Sequence, residues 1–131
     1  MPYTRLRYHL ITGTYKRLPI ITPGVEAVLY PTLREATLNA RGRLLQLGGI
    51  ADHVHMVVAI RPTMAVSDFM RIVKTHSSRK VRAEQDNAFR WQSGYAAFTV
   101  DPHEMRTLLK YVAFQKKHHA MNTTQPELEI T

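Results

Sequence analysis

The feature that most constrains the fold is a pair of apolar runs in the middle of the chain that meet at Asp52. The first run, residues 42–52 (GRLLQLGGIAD), predicts a strand with a glycine bend or bulge. The second, residues 53–60 (HVHMVVAI), predicts another strand. Because only Asp52 separates the two runs, we expect a tight hairpin or a sharp corner between the strands.

Amphipathic helices flank this strand pair on both sides in the sequence. Residues 24–41 repeat apolar side chains at helical spacing along one face. Pro31 interrupts that pattern and predicts that the helix is kinked there or starts there. Residues 63–82 carry a second apolar stripe, with Thr63 or Ser67 as the expected cap and a strongly basic far end. Each half of the chain therefore combines a strand with a helix.

The outer segments complete the pattern. Residues 3–15 are rich in β-branched and aromatic side chains and predict a first strand, and residues 89–100 predict a fourth strand of aromatic character. Asp101 is the expected cap of a last helix, with Pro102 at its first position, that continues to residue 120. The order is strand, helix, strand, strand, helix, strand, helix.

This order predicts an α+β fold. The first six elements match the ferredoxin-like (RRM-like) arrangement, an antiparallel sheet with helices on one face. One extra C-terminal helix is left over. We expect residues 1–131 to form a single domain, with 119–131 as a tail that is flexible or docked on a partner.

Composition narrows the class of protein. The 131 residues are 44% hydrophobic and carry a formal charge of +8, so we expect a folded domain with a polyanionic partner, usually nucleic acid. The absence of cysteine excludes disulfides and thiolate metal sites. The N-terminus lacks the apolar core of a signal peptide, and no run of about 18 apolar residues is available to span a membrane. From the lack of cysteine we expect the reducing cytoplasm of a prokaryote, with the protein nucleoid-associated when it is bound to DNA.

Two histidines open the third predicted strand. Residues two apart on a strand point to the same side, so His53 and His55 project together while Val54 faces the other way. Two neighbouring imidazoles make half of a site for a divalent metal. Taken alone, this pattern is more often structural than functional.

The last predicted helix carries a candidate nucleophile. Tyr111 and Gln115 are four residues apart and share a face of that helix. A tyrosine there most often serves packing, but Lys110, Lys116 and Lys117 make the helix basic. A phenol with a pKa of about 10 can attack phosphorus if a metal and cations stabilise the developing charge.

Taken together in order, DHVH at 52–55, KTHSSRK at 74–80, WQSGYAAF at 91–98 and YVAFQKKHH at 111–119 resemble the single-tyrosine HUH transposases. These are small transposases of insertion sequences that move as single-stranded DNA. The resemblance covers nearly the whole chain, from about residue 8 to residue 119. The ordered set is far more specific than any one of its members.

The resemblance implies a role for each motif residue. His53 and His55 match the two histidines of the HUH metal site, Tyr111 matches the tyrosine that attacks DNA, and Gln115 matches the polar third metal ligand. The implied cofactor is one Mg²⁺ or Mn²⁺ per site. The implied activity is cleavage and rejoining of single-stranded DNA through a 5′-phosphotyrosine. The implied partners are DNA hairpins at element ends and a second copy of the chain, whose tyrosine helix can complete the histidine site of the other subunit.

Three alternatives stay open at this point. A non-catalytic ferredoxin-like nucleic-acid-binding module explains charge and fold but not the His-x-His or Tyr-x-x-x-Gln patterns. A zinc hydrolase that uses the imidazoles would act without Tyr111. A domesticated relative that processes repeated extragenic palindromes shares the motifs, although the short chain counts against it.

Other residues receive weaker predictions. Basic side chains near the two helix ends are the candidate DNA contacts: Lys74, Arg79, Lys80, Lys110, Lys116 and Lys117. His9 is expected on a sheet face without a special role. His118 and His119 are expected mainly to stabilise a helix C-terminus, with phosphate contact as the second possibility.

Overall fold

Four strands and two long helices build the body of the protein. The structure, a computed structural model, describes residues 3–129. The elements in chain order are β1 (Arg7–Gly13), α1 (Pro23–Asn39), β2 (Arg43–Ile50), β3 (His53–Ala59), α2 (Val66–Glu84) and β4 (Ala96–Thr99). The strands form one antiparallel sheet in the order β2–β3–β1–β4. This is the ferredoxin-like order, and the predicted α+β fold is confirmed.

The two faces of the sheet have different coverings. Val54, Met56 and Val58 on β3 are buried in the main core together with residues of α1 and α2. Because side chains alternate along a strand, His53, His55 and Val57 project to the opposite face. Val57 lies there in a second cluster with Leu108 and Val112.

The second cluster places the extra C-terminal helix. Helix α3 (Met105–Ala113) packs on β2 and β3, on the face away from α1 and α2. Its strongly amphipathic sequence explains this position, since the apolar stripe of α3 is buried only if it covers the open face of the sheet. The sheet is therefore covered by α1 and α2 on one face and by α3 on the other.

Gly48 allows α3 to approach the sheet closely. A Cβ built on Gly48 would overlap the carbonyl oxygen of Val112 at the end of α3. Gly48 is paired with His55 across the β2–β3 ladder, so the contact lies next to the predicted metal site. The predicted glycine bend is wrong in position, because the register of β2 shifts between Leu44 and Gln46 instead.

Pro31 does not start α1, which begins at Pro23 with the Thr22 hydroxyl accepting from the Val25 amide. The helix runs through Pro31 because both Pro31 and Ala27, four residues earlier, are exposed. Water can therefore bind the Ala27 carbonyl that lacks an intrahelical donor.

Two further boundaries differ from the predictions. Helix α2 begins at Val66, and Ala65 at its N-cap makes no side-chain cap, so neither Thr63 nor Ser67 caps it. The fourth strand is short. Trp91, predicted within it, forms an isolated bridge with Thr14 and donates its indole N–H to Ser77, 3.0 Å away, in the core.

The last predicted helix is divided into three pieces. Asp101 caps a 3-10 turn, Pro102–Glu104, as expected, and accepts from the His103 amide at 2.8 Å. Helix α3 follows, and α4 (Gln115–Ala120) begins after a break at Phe114, whose φ of −108° and ψ of 32° are not helical. Within residues 3–129, no helix is both long and apolar enough to cross a membrane.

Candidate metal centre and nucleophile

The two motif histidines lie at the start of β3, on the sheet face that α3 covers. His53 and His55 are 1% and 0% exposed, and their ring centroids are 5.0 Å apart. They pair with Gly13 and Ile11 of β1 across the ladder. A central strand with partners on both sides therefore fixes the two imidazoles side by side.

Helix α3 brings Tyr111 to the same place. Tyr111 is buried, and its ring centroid lies 6.2 Å from that of His55. The ring of His118 stacks on that of Tyr111 with centroids 4.7 Å apart. One chain thus holds the predicted nucleophile beside the predicted metal ligands. The expected completion of the site by a second subunit stays a prediction.

A carboxylate from the end of the chain joins this cluster. Oε1 of Glu129 lies 3.1 Å from Nε2 of His53, 3.3 Å from Nε2 of His55 and 3.1 Å from Nε2 of His119. The Tyr111 hydroxyl donates a short hydrogen bond to Oε2 of the same carboxylate. Glu129 therefore connects the imidazoles with the phenol.

Gln115 contacts this carboxylate from the first turn of α4. Its amide Nε2 lies 3.3 Å from Oε2 of Glu129, and its Oε1 lies 3.2 Å from Nε2 of His119. The side chain is 1% exposed. The predicted third ligand thus belongs to the cluster, and its carboxamide is engaged with Glu129 and His119.

Each motif histidine has a partner behind it. Nδ1 of His53 lies 2.7 Å from Oδ1 of Asp52, and Nδ1 of His55 lies 2.8 Å from Nε2 of His9. Nη2 of Arg17 also lies 3.2 Å from Nδ1 of His53, but the shorter contact with the Asp52 carboxylate, which only accepts, places the proton of neutral His53 on Nδ1. The Nε2 lone pair of His53 then points into the cluster. Arg17 pairs with Asp52 at 3.3 Å and anchors it.

Burial and hydrogen bonds set the protonation of the cluster. Burial would raise the pKa of Glu129, but hydrogen bonds with His53, His55 and Tyr111 outweigh it and hold this pKa far below its usual range. Burial likewise would lower the pKa of His53, but hydrogen bonds with Glu129 and Asp52 raise it. Burial, followed by the hydrogen bond to Glu129, raises the pKa of Tyr111 to about 12.

The donor set fits a divalent metal. His53, His55 and Glu129 each offer a ligand atom, and these atoms all lie within 4.8 Å of one another. Asp52 behind His53 is the usual second partner of a metal-ligating imidazole. Imidazole ligands suit transition metals, and a carboxylate ligand suits Mg²⁺ and Mn²⁺. The cluster is therefore compatible with a divalent ion.

The candidate DNA-binding side chains differ in exposure and in their contacts within the protein. Lys74 donates to the carbonyls of Gln92 and Gly94, each 2.7 Å away, and holds that loop. Lys80 pairs with Glu84, and Lys116 pairs with Glu26. The other three, Arg79, Lys110 and Lys117, are exposed.

Three further residues of the cluster were not predicted as part of the metal site. His9 was expected only as a sheet-face residue, His119 mainly as a helix-end residue, and Glu129 lay in a tail without a predicted structure. The strand pattern could have flagged His9 only if the β1–β3 register had been known. The described part of the tail, up to Glu129, lies against its own chain, and Ile130 and Thr131 lie outside the described residues.

Fold and cluster together define a ferredoxin-like domain in which a buried histidine pair faces a tyrosine helix. Residues 2–115 match the profile of the family described as "Transposase IS200 like". The chain therefore belongs to this transposase family, which confirms the resemblance found in the sequence. Members of such a family are DNA-binding enzymes of DNA transposition.

Individual relatives agree with this assignment. The chain is similar to the ISDra2 transposase TnpA of Deinococcus radiodurans, with 24% identity over 118 residues that cover 85% of this chain and 84% of the relative. A crystal structure of a transposase candidate from Deinococcus radiodurans superposes with a TM-score of 0.73 at 24% identity and covers 87% of this chain and 93% of that chain. A REP-associated tyrosine transposase bound to a REP hairpin superposes with a TM-score of 0.68 at 11% identity, over 91% of this chain and 72% of that one.

Proposed function

We propose that this transposase cleaves and rejoins single-stranded DNA at insertion-sequence ends, with Tyr111 as the nucleophile. The observation that carries the proposal is the meeting of the Tyr111 hydroxyl and the Nε2 atoms of His53 and His55 at one carboxylate. Packing alone does not require a phenol among side chains of the metal-ligand type, so the position of Tyr111 favours a role as a nucleophile.

Tyr111 would attack a phosphodiester of the strand. A bond forms between the Tyr111 oxygen and phosphorus, and the bond from phosphorus to the 3′-oxygen breaks. The phenol proton is passed to the leaving 3′-oxygen, which departs as a 3′-hydroxyl. The DNA remains joined to Tyr111 through a 5′-phosphate. Since the ester is conserved, attack by another 3′-hydroxyl rejoins strands without an external energy source.

The protein's own groups prepare the phenol. With a pKa of about 12, Tyr111 is protonated at neutral pH, and its proton points to Glu129. The backbone amide of Gln125 donates to the Tyr111 oxygen at 3.0 Å and orients it. His53 and His55 would hold the metal, which when bound supplies positive charge that stabilises the phosphate during the attack.

The proposed substrate is a structured single strand. A formal charge of +8 on 131 residues supports binding to the phosphate backbone. The REP-associated tyrosine transposase of similar fold is bound to a hairpin, which makes a hairpin the natural probe for this chain. A homodimer belongs to the proposal through the family resemblance.

A denaturing gel tests the proposal. Wild-type protein, a 3′-labelled hairpin oligonucleotide and Mn²⁺ should give a labelled covalent adduct that EDTA abolishes, whereas a 5′-labelled hairpin should give a shorter free fragment. Tyr111→Phe and His53→Ala should lose the adduct but keep hairpin binding, because lysine and arginine contacts to phosphate dominate affinity. His103→Ala, at an exposed position, is the matched control and should behave as wild type.

Two outcomes would contradict the proposal. Cleavage by Tyr111→Phe at the wild-type rate would favour a hydrolytic metal site instead. Equal competition by a blunt duplex of the same sequence would contradict the single-strand substrate.

A further inference from the structure

The three imidazoles of the cluster point to one oxygen atom. Oε1 of Glu129 is 3.1 Å from Nε2 of His53, 3.3 Å from Nε2 of His55 and 3.1 Å from Nε2 of His119. The Glu129 side chain is only 15% exposed, although it lies 74 residues beyond His55 in sequence. A carboxylate is normally hydrated, so this burial requires strong partners.

A hydrogen bond from His53 to Glu129 requires a second proton on the imidazole. Its Nδ1 lies 2.7 Å from Oδ1 of Asp52, which can only accept, so the neutral imidazole has its proton on that side. Nε2 of His53 and Oε1 of Glu129 are then both acceptors. Either a second proton or a cation must lie between them.

Protons on all three imidazoles would be costly. The ring centroids of His55 and His119 lie 5.0 and 5.1 Å from that of His53, so three imidazolium ions would repel one another in a buried place. His119 has an independent reason to carry a proton on Nε2, since this atom also lies 3.2 Å from Oε1 of Gln115. His119 therefore serves as a donor, and His53 and His55 remain as ligands.

The distances from Glu129 to the two histidines suit coordination. Ligand atoms about 2.1 Å from an octahedral ion are about 3.0 Å apart along each edge. The separations of 3.1 and 3.3 Å from Glu129 to the two histidines are close to that value. A carboxylate oxygen is also a better ligand for Mg²⁺ or Mn²⁺ than a carboxamide that is engaged elsewhere, as that of Gln115 is.

We propose that Glu129 is the third protein ligand of the metal that His53 and His55 hold, and that Gln115 and His119 orient its carboxylate. This inference rests on the metal centre of the proposed function. It assigns Gln115, the expected third ligand, a positioning role.

The assignment makes the C-terminal segment, residues 121–129, part of the site. Leu128 packs with the apolar cluster under α3, and the Gln125 amide holds the Tyr111 oxygen. Glu129 binds the metal through Oε1 and accepts the Tyr111 hydroxyl through Oε2. Docking of this segment and metal binding therefore favour each other, and the nucleophile is positioned by the same carboxylate.

Calorimetric titration of the full-length protein with Mn²⁺ tests this role without DNA or turnover. Glu129→Gln keeps the size of the side chain and removes its charge, so we expect at least about tenfold weaker Mn²⁺ binding, as for other losses in metal shells. Glu127→Gln, in the same segment and exposed, is the matched control and should bind as wild type. Gln115→Ala should weaken binding less than Glu129→Gln does. Near-identical thermal unfolding of the metal-free proteins would confirm intact folds.

The results separate failure of this inference from failure of the metal centre. If His53→Ala binds Mn²⁺ as tightly as wild type, the metal centre itself is wrong. If His53→Ala loses binding while Glu129→Gln keeps wild-type affinity, Glu129 is no ligand. If Glu129→Gln binds more tightly, the carboxylate competes with the metal for the histidines, and the inference is overturned.

Discussion

At the scale of single residues, His9 controls its neighbour His55 through one hydrogen bond. Nε2 of His9 lies 2.8 Å from Nδ1 of His55, and the two rings stack with centroids 5.0 Å apart. Burial, followed by the nearby His55, lowers the pKa of His9 to about 4, so His9 is neutral at pH 7. For His55 to present a lone pair at Nε2, its proton must lie on Nδ1 and His9 must accept it.

This relation predicts different effects for two substitutions. His9→Leu removes the acceptor and should weaken Mn²⁺ binding about tenfold, a typical loss for a residue behind a metal ligand. His9→Gln can offer an oxygen near the same position and should retain most of the affinity. Calorimetric titration of both variants measures the difference. Equal affinities for His9→Leu and wild type would contradict the positioning role of His9.

Sequence patterns revealed the residues of the cluster that obey a local period. His53 and His55 follow the two-residue period of a strand, and Tyr111 and Gln115 follow the spacing of a helix. His9 and Glu129 could not be found in this way. The place of His9 depends on the pairing of β1 with β3, and that of Glu129 on the path of a segment without periodicity.

At the scale of elements, the order of strands and helices was predictable, while several boundaries were not. Hydrophobic periodicity identified the central pair of strands and both long helices. Pro31 does not start α1, because the cost of a proline inside a helix depends on whether the carbonyl four residues earlier faces water. The break at Phe114 had no sequence signal of the glycine or proline kind, although it separates Tyr111 on α3 from Gln115 on α4.

The contact of β2 with α3 gives a prediction at this scale. Gly48→Ala adds a methyl group that overlaps the Val112 carbonyl oxygen, and a backbone atom at the end of a packed helix cannot simply turn aside. We expect a loss of about 1–3 kcal/mol of unfolding free energy and a lower rate of adduct formation, because α3 carries Tyr111. Urea unfolding and a quantified adduct assay measure both.

Gly24→Ala provides the matched control for Gly48→Ala. Its added Cβ would lie 2.9 Å from Oε1 of the Gln85 side chain, which can rotate away. Adduct formation by Gly48→Ala at the rate of Gly24→Ala would show that the close approach of α3 has no role in placing Tyr111.

At the scale of the whole molecule, the question is whether a site belongs to one chain or to two. The family resemblance implies a composite site in a homodimer, whereas one chain here brings Tyr111 to its own His53 and His55. Glu129 connects the groups through contacts within that chain. We therefore expect each subunit to be self-sufficient.

Mixing two inactive variants distinguishes these arrangements. A His53→Ala subunit retains the nucleophile, and a Tyr111→Phe subunit retains the metal ligands. If each site lies within one chain, the mixture stays inactive after subunit exchange. A covalent adduct in the mixture, at about half the sites of proven heterodimers, would show that the tyrosine of one subunit acts at the histidines of the other.

The central claim is that Tyr111 itself becomes joined to DNA. After reaction of the wild-type protein with a single-stranded hairpin and Mn²⁺, nuclease and protease digestion followed by tandem mass spectrometry locates the modified residue. The account predicts a nucleotide attached through its 5′-phosphate to the Tyr111 oxygen and an equal amount of free 3′-hydroxyl ends. Attachment to any other residue, or cleaved DNA with free 5′-phosphate ends and unmodified Tyr111, would contradict it.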